Sequence, residues 1–291
     1  MATSKIDPCL FASDKVIAVA YVDDLLFWAK DEADIVALTE KLRAKGLLLE
    51  PEDDAAGFLG VRLHKHADGR IEMKQTGLID RVIEAIGLDV KFATKKMTPA
   101  TGVPLIKDED GEPMDGDFNY ASVVGMLLYL SGHTRPDIAY AVNCCARYMF
   151  SPRKRHEIAL KRIARYLKAT RDKGMILNPL KELRVDCYPD ADFAGLYGYE
   201  SPTDPSCVRS RTGFVITVAN CPVLWVSRLQ ESTALSTMQA EVNALTHACR
   251  ALFTIMDLVK EVGAIVGMPT EELTSMHVSI HEDNAGALSL A

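Results

Sequence analysis

Val16-Ile17-Ala18-Val19-Ala20-Tyr21-Val22-Asp23-Asp24-Leu25-Leu26-Phe27-Trp28 sets two adjacent carboxylates between two apolar runs, with no basic residue beside them. The segment reads as strand, turn, strand, with Asp23 and Asp24 at or beside the turn. An Asp pair in a hairpin turn is commonplace, so the pair alone does not define a chemistry.

Outward from this hairpin, Ala33–Lys45 carries helical spacing at Ile35, Leu38 and Leu42 and is closed by Gly46. Phe58–Leu63 and Ile71–Lys74 read as two strands around the turn Asp68-Gly69, and a helix is predicted over roughly 77–87. Strands mixed with helices in this order indicate an α+β region. Residues 89–118 have three prolines and no sustained period, which marks a connector. Helices are predicted at Tyr120–Gly132, Pro136–Met149 and Glu157–Ala169. The last places Leu160, Ile163 and Leu167 on one side and Lys154, Lys161, Arg165 and Lys168 on another.

From Leu183 the pattern changes. Strands are predicted at Leu183–Tyr188, Gly213–Val218 and Val223–Ser227, followed by a long helix at Thr237–Val262. That helix has an apolar stripe at Met238, Val242, Leu245, Cys249, Leu252, Met256 and Val259. A strand at His277–His281 and a helix from Ala285 complete most of a small α/β domain.

The bulk composition bounds these readings. The chain has 291 residues, 48% hydrophobic and 25% charged, enough for two ordinary globular domains. No apolar run approaches bilayer length, and the first residues lack the apolar core of a secretory signal. The seven cysteines show no C-x-x-C spacing, which fits reduced thiols rather than a disulfide framework or a zinc site. Net charge is −7, yet Arg153–Lys173 holds nine Lys/Arg against Glu157 and Asp172. Such a local excess reads either as a phosphate footprint or as a solvated helix face.

Three acids of the C-terminal half fall at element edges: Asp190 ends a strand, Glu241 borders the apolar stripe of the long helix, and Asp283 follows the fourth strand. If those elements are neighbours, the carboxylates converge at one end of the sheet and offer the hard oxygen ligands that Mg²⁺ takes. The plain alternative is that all three are solvated surface acids.

Taken together, the motifs resemble the Pol polyprotein of copia-type LTR retrotransposons. The resemblance runs in order through Asp7-Pro8-Cys9-Leu10-Phe11, Tyr21-Val22-Asp23-Asp24-Leu25-Leu26 and Phe58-Leu59-Gly60. It continues through Tyr120-x-Ser122-x-Val124-Gly125-x-Leu127-Leu128-Tyr129-Leu130, Thr134-Arg135-Pro136-Asp137-Ile138 and Arg165-Tyr166-Leu167-Lys168-x-Thr170. The last blocks are Asp190-Ala191-Asp192-Phe193-Ala194-Gly195, Ser210-x-Thr212-Gly213, Leu224-Trp225, Ala240-Glu241 and Asp283-Asn284.

The resemblance implies a partial reverse-transcriptase palm at 1–88, a linker at 89–118, a helical thumb or connection at 119–176 and an RNase H-like α/β domain with a mixed sheet at 177–291. Asp23 and Asp24 would be polymerase metal ligands, with Asp23 the principal one, and Phe58–Leu63 the primer-grip region. Asp190, Glu241 and Asp283 would be RNase H metal ligands, with Asp192 ranked second in its motif. Mg²⁺ is the implied ion and Mn²⁺ its substitute. Arg153, Lys154, Lys161, Arg165 and Lys168 would track the backbone of an RNA–DNA hybrid or primer-template. The remainder of Pol would be the protein partner, no membrane is implied, and the setting would be cytoplasm, virus-like particles or nucleus.

The family's palm also uses an upstream Asp and the fingers, and its RNase H uses a fifth strand and a last acid. None of these is expected here, so the expectation is a segment truncated at both ends, with an incomplete polymerase site and weak nuclease activity. A non-catalytic nucleic-acid-binding remnant and an inactive relic are the alternative readings.

Overall fold

Residues 1–50, 57–88 and 95–290 are described by the computed structural model, and among them the fold is mixed α/β, with three sheets and eight helices. The first sheet is antiparallel in chain order: β1 (Ala2–Thr3), β2 (Leu10–Ala12), β3 (Val16–Tyr21) and β4 (Asp24–Ala29). The predicted hairpin is present, with Tyr21 paired to Asp24 across the two-residue turn Val22-Asp23. Val22 has φ 54°, a left-handed conformation that a β-branched residue adopts only at a cost of about 1–2 kcal/mol. Helix α1 (Glu32–Ala44) follows, with the Asp31 side chain capping it through the Ala33 N–H.

Where a strand over Phe58–Leu63 is expected, the chain makes a 3-10 turn at Phe58–Gly60 and only then enters β5 (Arg62–Lys65). Leu59 and Gly60 both have positive φ, which breaks the extended geometry a strand requires. The Tyr129 hydroxyl donates to the Leu59 carbonyl at 2.7 Å and holds this turn. β6 (Ile71–Lys74) pairs with β5 and also with β7 (Met175–Leu177), which returns from beyond the helical region.

That helical region comprises α2 (Thr76–Ala85), α3 (Tyr120–His133), α4 (Ala139–Ala146) and α5 (Lys154–Ala169). Its core contains Ile79, Val82, Val124, Leu127, Leu130 and Val142, together with Leu160, Ile163 and Leu167 from the predicted apolar side of α5. Residues 95–118 of the expected linker run along the other side of α5. His156 joins the two: its Nδ1 accepts the Arg153 N–H at 2.8 Å, and its Nε2 donates to the Ile106 carbonyl at 2.9 Å. Its ring also stacks on Tyr148 at 4.1 Å.

The C-terminal sheet has the order β10-β9-β8-β11, formed by β8 (Arg184–Asp192), β9 (Arg211–Val218), β10 (Cys221–Leu229) and β11 (His277–Ile280). β8, β9 and β10 are antiparallel neighbours, whereas β11 lies parallel to β8. The crossover that parallel pairing requires is α6 (Thr237–Ile265) and the short α7 (Thr270–Thr274); α8 (Ala285–Leu290) follows β11. The buried face of α6 is shifted from the predicted stripe. Ala240, Ala244, Ala248 and Leu252 are sealed, while Met238 at the start of the stripe is 38% exposed. Small side chains there let the helix approach Val185, Cys187, Phe214 and Ile216 of the sheet.

The two halves are tied by directional bonds. The Trp225 indole donates to the Ser131 carbonyl at 2.7 Å, and Arg211 donates to Asn143 at 2.6 Å. Glu200, with its side chain 1% exposed, accepts from the Lys107 N–H at 2.9 Å, the Tyr148 hydroxyl at 2.8 Å and the Arg147 guanidinium at 3.2 Å. Among the described residues no helix is long and apolar enough to cross a membrane.

Two stability measurements follow. Replacing Glu200 by Ala leaves the largely buried Arg147 without its carboxylate partner and should lower the unfolding free energy by about 3–5 kcal/mol, read by urea denaturation. Burial holds the His156 pKa below its ordinary 6.5. Its folded pKa lies below its unfolded one, so its contribution is present above the unfolded value and is lost as pH falls through the folded value. His156→Phe should start about 1–3 kcal/mol less stable. It should then lose less of its melting temperature than the wild type on acidification below about pH 6.5.

Candidate metal centre

β8 extends past its pairing with β11 and carries Asp190 opposite Gly213 of β9. Parallel pairing in the register Ile280 to Cys187, continued by the His281 N–H donating to the Cys187 carbonyl at 2.8 Å, brings the end of β11 alongside. Asp283 lies just beyond it. Glu241 comes from the second turn of α6, whose N-terminus is capped by the Ser236 hydroxyl accepting from the Gln239 N–H at 3.1 Å. One carboxylate oxygen from each of Asp190, Glu241 and Asp283 lies within 4.8 Å of the others.

The convergence the sequence predicts is therefore present. Like charges this close repel by on the order of 3 kcal/mol per pair at an intermediate effective dielectric. Burial, then the charges of Glu282, Asp190 and Asp283, push the Glu241 carboxyl up to about 7, against the pull of the Ala191 N–H. Glu241 is buried and its Oε2 takes no hydrogen bond, whereas Asp190 and Asp283 are exposed. An all-oxygen donor set with an orphaned buried carboxylate oxygen and two solvent-facing members fits a hard divalent cation that keeps part of its water shell. Asp192, at the last position of β8, lies apart and lines a small cavity with Tyr140, Arg209 and Arg211.

Gln230 carries no motif, and the sequence does not single it out. Buried just after β10, it donates through Nε2 to the Ala240 carbonyl at 2.9 Å and to the Thr212 hydroxyl at 3.1 Å, and accepts from Asn243 at 3.1 Å. It thus pins the turn of α6 that presents Glu241 to the strand that neighbours Asp190. Thr212 belongs to the quoted Ser210-x-Thr212-Gly213 motif, which is the one sequence signal pointing here.

A second acidic group, Asp115, Asp117 and Glu157, also has oxygens within 4.8 Å of one another. It already contains its cations: Lys154 contacts Asp115 and Glu157, and Lys161 contacts Glu157 and Asp117. Burial would raise the Glu157 carboxyl, but Lys161 and the Asp115 N–H hold it below its ordinary range. Arg153 likewise donates to the Glu109 carbonyl at 2.8 Å. Three of the five basic residues expected to contact nucleic acid are thus engaged with residues 109–117. Arg165 and Lys168 are half-buried on the same helix. Asp23 and Asp24 are exposed, and among the described residues no third ligating side chain joins them.

No family model matches the chain, and no solved structure matches it. It is 29% identical over 275 residues to the retrovirus-related Pol polyprotein from transposon RE2 of Arabidopsis thaliana, covering 94% of this chain and 17% of that protein. It is 30% identical over 271 residues to the retrovirus-related Pol polyprotein from transposon TNT 1-94 of Nicotiana tabacum, covering 88% of this chain and 19% of that protein. An uncharacterized mitochondrial protein of Arabidopsis thaliana is 29% identical over 227 residues, 77% of this chain and 88% of its own. The chain therefore spans less than a fifth of the length of the two Pol relatives.

Gln230→Leu should cost about 1–3 kcal/mol of stability, because the Ala240 carbonyl and Thr212 lose their partner. Thermal melts of the purified variant read the effect, and Gln239→Leu on the exposed side of α6 should cost less.

Proposed function

The chain belongs with the Pol polyproteins of copia-type retrotransposons, and from that premise we propose that residues 177–291 act as an RNase H-like module that hydrolyses the RNA strand of RNA–DNA hybrids. The observation that carries this reading is the meeting of Asp190, Glu241 and Asp283 from a strand, a helix and the end of a parallel strand. These three residues would hold Mg²⁺, with Mn²⁺ as a substitute. When bound, the ion supplies an activated water and stabilises the leaving oxygen of the phosphodiester.

The chain's own residues supply the rest. Gln230 keeps Glu241 in place, and the exposed Asp190 and Asp283 leave the site open to a backbone phosphate. Contacts to the 2′-hydroxyl would choose the RNA strand. Residues 1–88 are proposed to be part of the palm, with Asp23 and Asp24 at its catalytic hairpin. Because no third acid joins that pair among the described residues, nucleotide addition is assigned to the longer Pol assembly. Hybrid and primer-template are the proposed partners, in the cytoplasm or in virus-like particles.

Cleavage of a labelled RNA–DNA hybrid by the purified chain tests the reading. Hydrolysis should require Mg²⁺ or Mn²⁺ and fall to background in Glu241→Gln and Asp190→Asn, each with an intact circular-dichroism melt. Cleavage that persists in folded Glu241→Gln would overturn it.

A further inference from the structure

Glu282 lies between His281 and Asp283 in the segment that leaves β11. It is only 9% exposed, unusual for a carboxylate without a cationic partner. Among the described residues no Lys, Arg or His forms an ion pair with it. The neighbouring His281 turns instead to Asp186, at 2.9 Å, and stacks on Tyr188.

The Glu282 carboxylate is held at one end. Its Oε1 accepts the Asn284 N–H at 3.0 Å, and the Asn284 side chain in turn accepts the Ala287 N–H at 3.0 Å at the start of α8. Its Oε2 is buried and takes no hydrogen bond. Glu241 presents the same condition, so two buried carboxylates of one region each carry an orphaned oxygen. A buried, unsatisfied charged group is expensive, and a second one beside it more so. A hydrated divalent cation is the kind of group that would satisfy such oxygens.

We propose that Glu282 is a fourth carboxylate of the metal centre, whose free oxygen accepts a hydrogen bond from water on the bound divalent cation and so strengthens binding of that cation. The inference rests on the reading of Asp190, Glu241 and Asp283 as metal ligands. Those three meet within one ligand shell, and Glu282 is not among them, which places it in the outer role.

Calorimetric titration of Mg²⁺ and of Mn²⁺ into the metal-free full chain tests this without any turnover. Glu282→Gln keeps the bond from Asn284 and the shape of the side chain but removes the charge; Glu282→Ala removes both; Glu40→Gln on α1 controls for net charge. The Glu282 variants should bind about 10- to 100-fold more weakly than the wild type, as is usual for loss of an outer-shell partner. Glu40→Gln should bind as the wild type does. In chelator Glu282→Gln should melt no lower than the wild type, since it relieves repulsion. Wild-type affinity in both folded Glu282 variants, with binding abolished in Glu241→Gln, would overturn the role of Glu282 and leave the metal centre standing. No saturable binding by the wild type would overturn both.

Discussion

Three carboxylates held within 4.8 Å of one another repel, and the C-terminal sheet is the structure that keeps them there. β11 runs parallel to β8, so the chain must cross the sheet between them, and α6 is most of that crossover. The same helix that makes the topology possible delivers Glu241, and the same strand pair delivers Asp190 and Asp283. Gln230 closes the arrangement by bonding α6 to β9 through Thr212. Burial of Glu241 and this crowding together raise its proton affinity.

The helical half is organised by a different electrostatic constraint. α5 is strongly basic, and the acidic residues 108–117 lie along it, so that lysines and carboxylates neutralise one another inside the chain. Glu157 is the buried centre of this network, and His156 fastens the same strap through its backbone. Glu200 extends the tie to the C-terminal half, accepting from the strap and from Arg147 at once. The contacts that fix the helical region are thus partly the contacts that tie the C-terminal sheet to it.

Element order was largely legible because hydrophobic period and turn residues are local properties. The hairpin around Asp23-Asp24, the apolar side of α5 and the strand–strand–strand–helix–strand order after Leu183 all follow from spacing. Phe58–Leu63 was not legible, because Leu59 adopts a left-handed conformation that apolar content does not reveal and that Tyr129, distant in sequence, supports. The buried stripe of α6 was legible only in part: Leu245 and Leu252 are buried as read, but close approach to the sheet adds Ala240, Ala244 and Ala248, and small side chains carry little weight in a hydrophobic pattern.

By itself, the sequence determined which acids are present, which elements carry them and the family they belong to. Only tertiary structure decided which charges meet. The basic residues of α5 and the acids of the connector are both plain to read, yet their pairing depends on how the chain folds back, so a helix read as a phosphate footprint has three of its cations already engaged. Glu282 and Gln230 gain their significance in the same way, from burial and from partners distant along the chain. Periodicity reports what one element buries, whereas a site is made where several elements meet, and that meeting is set by strand register and helix packing.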